Sequence, residues 1–557
     1  MGSSRFERVL RGAKWLGAAL QKHAVLLIGL VWFAAMLSLV LWIWGLKPVV
    51  FPSSDEAANR MTALVIRRTG RPMMSLPFRD EEDLAHLRAW ISVGDQVLPG
   101  YPPVTFYLFA LLTLMGKFGY FLIYTLPAGA AGAFAAGTAL LQPVGRRWLG
   151  LFAPILGFPA TYWLLRPWIN LALLLTCLCW AFFFWSGWRK FRRTYWLAGA
   201  MGCVGAAIAV RPDYAPYALP VALLFSLGAE RSAWKQEILL LVVAAALAVG
   251  ANLFLNWLIT GHPTRAAYQM MLEKDVNNDF RGPVRMLQNL VFPMGFPARD
   301  DALNFLKRYW LEMGPVALLL AAQLALIPLL WAEKRVARLL YLGAIALMVL
   351  FLFTRMDKTL HGGLERISVT AHSIPRYWSP IYLFAGLPPL LFLGRCKRRL
   401  IVLVGALFVA TSASLGAHNI MYGQPTSLAY IENFVRVRTA WLEQVAARVP
   451  ADAFVYSRRS DKELWSRFRV GLLEEPEPSA ISMNRAVEAG LAVYIFGERN
   501  TAARRALWRA LQRRRLVPVR FGPLHDFYKL EPLAPEATGL RSAPDQKPAR
   551  LALASGG

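Results

Sequence analysis

Two adjacent acids, Asp55 and Glu56, follow the first long apolar run of the chain, in the stretch FPSSDEAANRMTALVIRRTGR. Ser53, Ser54 and Asp55 are residue types that cap helices, and over 55–69 the residues Ala58, Met61, Leu64 and Val65 fall on one helical face. An acid at such a helix start is either a cap or a proton acceptor for an incoming hydroxyl. Arg67, Arg68 and Arg71 close the same segment. Guanidinium groups near a carboxylate at a lipid surface suit a phosphorylated lipid, whose phosphate they would hold by charge-assisted hydrogen bonds. General attraction to anionic headgroups accounts for the same arginines equally well.

Other chemistry-bearing types stand at the ends of apolar runs. PGYPPVTFYLFALL at 99–112 brings Tyr101 and Tyr107 to the mouth of a run, where an aromatic belt is the alternative to a substrate contact. Arg211–Pro212–Asp213 and Arg166–Pro167–Trp168 each lie between two runs and mark a polar cavity or the water boundary. In HSIPRYWSP at 372–380, Arg376 suits a phosphate and Tyr377 a sugar face, with interface anchoring as the alternative. Neither HxxH nor HExxH spacing occurs among the seven His, and the four Cys show neither pairing nor metal spacing. No metal-ligand set is therefore assigned. A phosphate-cradling glycine loop, a Walker motif and a nucleophile elbow are all missing from the sequence.

The elements that must position these residues are membrane spans. Of 557 residues 56% are hydrophobic and only 17% charged, against roughly a quarter in an ordinary soluble chain. That excludes a disordered, collagen-like or purely soluble protein. The net charge is +28, but the basic residues flank long apolar runs, so membrane anchoring explains them and nucleic acid is not expected as a partner. Apolar runs cover 24–46, 103–117, 120–141, 148–165, 168–187, 195–210, 214–228, 237–259, 313–332, 336–353, 378–394 and 400–417. The first follows a basic segment and reads as an uncleaved anchor with a cytoplasmic N-terminus. Basic loops at 188–193, 231–235, 333–338 and 395–399 read as cytoplasmic, which leaves 48–101, 260–311, 354–377 and 418–557 outside. Such ends require an odd number of spans, so one of 103–117 and 120–141 is expected not to cross fully. Arg146 and Arg147 then reach the cytoplasmic side.

The expected fold is a polytopic α-helical membrane protein of about 11–13 transmembrane helices with periplasmic amphipathic helices and a small C-terminal α/β domain. The amphipathic helices are expected at 55–69 and 80–92, lying in the interface plane. Residues 1–417 form the membrane domain with outer loop 48–101. Residues 418–535 alternate helix and strand, with helices near 427–448 and 501–515 and strands near 453–457, 491–496, 516–521 and 526–530. The Pro/Ala/Gly-rich 536–557 reads as a disordered tail.

A basic N-terminus, one span, an outer loop opening on SDEA, then PPVTFYLFALL, the Arg-Pro-Asp hairpin, PRYWSP before a late span and an α/β tail together resemble the GT-C class of integral-membrane glycosyltransferases. The style is similar to protein O-mannosyltransferases and lipid A aminoarabinose transferases. The resemblance implies a bacterial inner-membrane enzyme that moves a sugar, with inversion, from a polyprenyl-phosphate donor to a hydroxyl of a lipid, glycan or protein acceptor on the outer side. It implies Asp55 as the catalytic base and Glu56 as the second acid of the pair. Arg67, Arg68, Arg71, Tyr101, Arg211, Asp213, Arg376 and Tyr377 would serve the donor's phosphate and sugar. Where the class carries a further acid this chain has Asn170, in RPWINLAL, which leaves a divalent metal open; no cofactor is assigned. The competing functions are a transporter or flippase of lipid-linked glycans, which predicts mid-membrane charges and repeated halves, and a non-catalytic assembly protein, which predicts no dependence on Asp55.

Overall fold

The computed structural model describes residues 3–45, 50–79, 82, 84–86, 90–93, 96–100, 103–212, 231–263, 379–380, 383–384, 387–422, 427–458, 460–497, 501–522 and 526–533. Among them five helices are long and apolar enough to cross a bilayer: His23–Trp44, Gly116–Leu140, Asn170–Phe191, Lys235–Thr260 and Arg399–Tyr422. The chain is a polytopic α-helical membrane protein. The expected runs 214–228, 313–332 and 336–353 and the tail 536–557 lie outside the described residues, as do Tyr101, Asp213, Arg376 and Tyr377.

Helix α1 (Ser3–Trp44) leads into α2 (Ser54–Thr69), a helix made by the local sequence. Ser53 is its N-cap and its side chain accepts from the Glu56 N–H, acids fill the first turn, and Gly70 ends it in the left-handed region at φ 75°. Asp55 and Glu56 at the start and Arg67 and Arg68 at the end complement the helix dipole. The first half of α2 does not lie in an interface plane with one face wet. Glu56, Ala57, Ala58, Asn59, Thr62 and Ala63 are all buried.

None of the described residues of the second expected amphipathic helix, 80–92, is helical. Trp90–Val93 (β2) is a strand that pairs antiparallel with β3 (Gln96–Pro99), which pairs in turn with β1 (Met74–Ser75). The spacing of Leu84, Leu87, Trp90 and Ile91 fits a helix, but Leu84 and Ala85 are buried and Ala85 packs in the core of the C-terminal domain. Tertiary pairing overrides a short amphipathic pattern.

Of the two runs, α3 (Pro103–Leu114) does not have spanning length and α4 (Gly116–Leu140) does. Twelve residues make α3 about 18 Å long, against a hydrocarbon core about 30 Å thick. The chain then folds back on itself. A Cβ on Gly119 would lie 1.5 Å from the Leu112 carbonyl oxygen, and Phe109 and Tyr120 meet the same Trp168 ring at 5.1 and 5.8 Å. Helix α4 continues along α1 in the opposite direction. The Gly132 backbone meets that of Gly29, whose oxygen would be 2.5 Å from a Cβ at 132; the Ala/Gly-rich stretch packs as small residues allow.

The run 148–165 is not one span. It divides into a 3-10 segment (Val144–Phe152), α5 (Ala153–Leu156) and α6 (Phe158–Leu164), broken by Gly150, Pro154, Gly157 and Pro159. Helices α7 (Asn170–Phe191), α8 (Thr194–Val210), α9 (Arg231–Thr260), α10 (Leu387–Arg395) and α11 (Arg399–Tyr422) complete the described bundle. One end of it collects basic residues. Arg147 donates to the Gln21 carbonyl at 3.0 Å, Arg146 donates to the Leu393 and Cys396 carbonyls that end α10, and Arg189 feels the charges of Arg192 and Arg395.

The C-terminal domain opens with α12 (Leu428–Ala446), capped by Ser427. A five-stranded mixed sheet follows in the order β5–β4–β6–β8–β7. Strands β4 (Phe454–Ser457), β5 (Arg469–Leu472) and β6 (Val493–Phe496) are parallel, while β7 (Leu516–Arg520) and β8 (Phe527–Pro532) are antiparallel additions. Helix α13 (Asp461–Leu464) leaves the end of β4, and α14 (Pro476–Glu488) and α15 (Thr501–Arg513) cover the sheet. Strand β5 has no counterpart among the strands expected from sequence, because RVGL is too short to show alternation.

Gly132→Leu is expected to destabilise the purified protein by about 1–3 kcal/mol, since the new side chain must push apart a pair of packed backbones. A lowered midpoint of thermal unfolding in detergent checks it, with Gly202→Leu, where a Cβ meets nothing within 4 Å, as the control.

Candidate functional site

The buried end of α2 meets the loop between α6 and α7, and there the charges concentrate. Arg166 Nε donates to Glu56 Oε1 at 2.9 Å and Nη2 donates to Oε2, a bidentate fork on a side chain that is fully buried. The Ser53 hydroxyl adds a third hydrogen bond to Oε2 at 3.1 Å. Both carboxylate oxygens of Glu56 are thus committed. Burial is the largest single influence and disfavours the Arg166 cation, but the charge and hydrogen bonds of Glu56, with Tyr162 and Asp55 adding to them, together hold the guanidinium above its ordinary pKa. The Arg166 cation also stands 5.2 Å over the Trp163 ring. Asp55, 9% exposed, occupies the second position of α2 and lies near enough for its charge to act on Arg166.

One turn on, Arg60 has 5.6 Å between its Cζ and the Phe51 ring and 5.9 Å to the Trp465 ring. Tyr120 and Tyr124 face it with their hydroxyls, and burial lowers its pKa. Among the described residues Arg60 makes no ion pair, and its buried Nε has no hydrogen-bond partner. Below lies an amide layer. Asn59 Nδ2 donates to the Trp168 carbonyl at 2.8 Å and to Asn170 Oδ1 at 3.1 Å. Asn170, at the first position of α7, is therefore a hydrogen-bond partner of α2. An aromatic floor carries these groups: Trp168 meets Phe51, Phe109 and Tyr120, Phe51 stacks on Trp44 at 5.7 Å, and Trp44 Nε1 donates to the Leu165 carbonyl at 2.9 Å.

The C-terminal domain contributes as well. Lys462 Nζ donates to the Pro52 carbonyl at 2.6 Å, across 410 positions of chain. Burial lowers its pKa, while Glu463 and Asp461 oppose that, and the charges of Arg166 and Glu56 reach it. The same burial raises the pKa of Glu463. Trp465 and Lys462 come from one helical turn, so α13 sets both against residues 51–60.

The residues expected from the sequence are divided by this geometry. Asp55 and Glu56 sit together beside Arg166. Arg67 and Arg68 lie twelve and thirteen positions after Asp55, roughly 18–20 Å along α2, and they and Arg71 are exposed. Arg211 is buried at the end of α8, close to where Thr105 Oγ1 donates to the Val210 carbonyl at 3.3 Å. Arg60, Asn59 and Lys462 are not among the residues expected from sequence. Arg60 was findable, since it shares the buried face of α2 one turn after Glu56; Lys462, in a polar SDKE stretch, gave no signal. Among the described residues no group of three His, Cys, Asp or Glu side chains is arranged to hold a metal ion.

No protein-family model matches the chain, and no curated protein matches it in sequence. Solved structures similar to it include two of one protein. ArnT from Cupriavidus metallidurans in the apo state is 14% identical over 88% of this chain and 94% of that one, with a TM-score of 0.43. ArnT from Cupriavidus metallidurans bound to undecaprenyl phosphate is 13% identical over 92% and 97% of the two chains, with a TM-score of 0.42.

Replacing Arg166 by Met strands the Glu56 carboxylate in a dry site and is expected to cost about 3–5 kcal/mol of stability. Adding Glu56→Gln should restore some of the loss. A double-mutant cycle on thermal unfolding of the full chain measures the coupling.

Proposed function

We propose that this site transfers a sugar from a polyprenyl-phosphate donor to an acceptor hydroxyl, with Asp55 as the general base. One observation carries the proposal: a nearly buried carboxylate is held at a helix start beside a neutralised Glu56–Arg166 pair and two further cations, Arg60 and Lys462. One of the similar ArnT structures holds undecaprenyl phosphate; the charge arrangement around Asp55, and not that likeness, supports the reading.

The chemistry needs few components. The Asp55 carboxylate accepts the hydroxyl proton as the acceptor oxygen forms its bond to the anomeric carbon. The bond from that carbon to the phosphate oxygen breaks, and polyprenyl phosphate leaves as an anion that the cations stabilise. Attack opposite the leaving group inverts the anomeric centre. Glu56, whose two oxygens are engaged by Arg166, fixes the guanidinium and orients the start of α2; it is a positioning residue in this scheme. Arg67, Arg68 and Arg71, at the far end of α2, suit anionic headgroups of surrounding lipid. Arg211, Tyr101, Asp213, Arg376 and Tyr377 are proposed as donor or acceptor contacts around the same space. The acceptor is a lipid, glycan or protein hydroxyl.

The basic end of the bundle, with Arg146, Arg147, Arg189 and Arg395, is assigned to the cytoplasm by the excess of basic residues. The α2 site and the C-terminal domain then face the outer side of a bacterial inner membrane, where a lipid-linked donor presents its phosphate at the interface.

Asp55→Asn is expected to lower transfer of labelled sugar from a polyprenyl-phosphate donor by about 100-fold or more, with the melting temperature unchanged. Full transfer activity in that variant would remove Asp55 from the reaction. Uptake of the labelled lipid into vesicles without a new glycosidic product would assign the protein to transport.

A further inference from the structure

The proposed reaction leaves unexplained why the C-terminal domain reaches into the membrane domain. Strands β4, β5 and β6 are parallel, so their carboxyl ends share one edge of the sheet, and β4 lies between the other two. In open α/β sheets that edge, beside the strand from which the connections diverge, is where ligands bind. Here the edge sits on the outer loop of the membrane domain. Leu472, the last residue of β5, donates its N–H to the Leu84 carbonyl at 2.6 Å, and β4 leads through Ser457 and Ser460 into α13, which carries Lys462 to Pro52.

At the seam two cations grip consecutive residues. Arg60 lies against the Phe51 ring and Lys462 on the Pro52 carbonyl, while the Trp465 ring, from the same turn as Lys462, stands 5.9 Å from Arg60. Among the described residues neither cation makes an ion pair. Two buried donors at this seam, Arg60 Nε and Trp465 Nε1, have no hydrogen-bond partner. Lys462 has three N–H groups, of which Pro52 takes one. Both cations are half-buried, and the carboxylates of Asp461 and Glu463 act on Lys462 without pairing with it; two N–H groups left without acceptors beside them are unfavourable, and an anion bound at the seam completes them. A tetrahedral oxyanion supplies the acceptors and the charge together.

We infer that the seam between α2 and α13 is a phosphate subsite shared by the two domains, in which Lys462 and Trp465 of the C-terminal domain join Arg60 of α2 in holding the phosphate of a lipid-linked substrate. This rests on the proposed transfer reaction and names where its phosphate sits. Lys462 is a binding residue on this reading, and the C-terminal domain belongs to the active site.

The test is binding, without turnover, on the full chain in detergent. Native mass spectrometry titrations use undecaprenyl phosphate, undecaprenol, phosphatidylglycerol and inorganic phosphate. The proteins are the wild type, Lys462→Met, Lys462→Gln, Lys462→Arg and Trp465→Phe. Lys462→Met is expected to weaken undecaprenyl phosphate about tenfold or more, the worth of one charge-assisted hydrogen bond, with undecaprenol unaffected. Lys462→Arg should keep most of the affinity. Trp465→Phe, which removes the N–H with little loss of ring packing, should lose some of it. Competition by inorganic phosphate would place the free anion in the same seat; equal binding of phosphatidylglycerol would instead show general headgroup attraction and overturn the subsite. Undiminished affinity in folded Lys462→Met overturns it too. Should Lys462→Met unfold, undiminished affinity in both Lys462→Gln and Trp465→Phe does the same. Phosphate-selective, Lys462-dependent binding without any sugar transfer sustains the subsite and sinks the proposed reaction; transfer that ignores Lys462 does the reverse.

Discussion

The fork between Arg166 and Glu56 is the constraint from which the rest of the site takes its geometry. It joins the first turn of α2 to the short loop that separates α6 from α7, 110 residues away in sequence. A buried ion pair is weak as a source of net stability, because desolvating both ions offsets most of their attraction. It is strong as a source of uniqueness. Any rotation of α2 that removed Glu56 from the fork would leave two bare charges in the interior, so the helix has one azimuth and Asp55 one position. The Ser53 hydroxyl, which accepts from the Glu56 N–H and donates to its carboxylate, ties the same constraint to the helix cap.

Packing around Trp168 turns that local constraint into a rigid floor. Its ring touches Phe51 from the segment after α1, Phe109 from α3 and Tyr120 from α4, and its carbonyl receives Asn59 from α2. The fold-back between α3 and α4 is what brings Phe109 and Tyr120 to one ring. A straight continuous helix would place them about 16 Å apart along its axis. The short α3 thus serves the site by doubling its aromatic lining.

The sequence made the start of α2 legible because its signals are local: a capping serine, acids in the first turn and a glycine at the end. The long apolar helices α1, α7, α9 and α11 were legible from length and hydropathy, and most of the C-terminal strands from alternation between turns. The strand Trp90–Val93 was not, since its strand partner β3 is itself only four residues long and its neighbours Leu84 and Ala85 are buried by a domain nearly 400 residues further on. Arg166 was visible as a charge between two runs, but its partner was not, because periodicity carries no information about contacts between separate elements. Lys462 shows the limit most clearly: its environment is created wholly by tertiary structure, and in sequence it is one charge among several in a polar turn.

Helix electrostatics explains the charge pattern of α2 without function, and that is why burial is the deciding observation. Acids at one end and arginines at the other complement the dipole, and for surface charges this is worth typically 0.3–1 kcal/mol each. Arg67 and Arg68 fit that account entirely, since they are exposed in the last turn. Asp55 and Glu56 do not. Ser53 already caps the helix, and taking two carboxylates out of water for a dipole term of that size is unfavourable by far more than the dipole offsets. Arg166 compensates Glu56 through the fork. Around that pair stand Asp55, the cations Arg60 and Lys462, and the acids Asp461 and Glu463 of the C-terminal domain. Carboxylates and cations gathered at one helix start suit a reaction in which a proton is taken up while an anion departs.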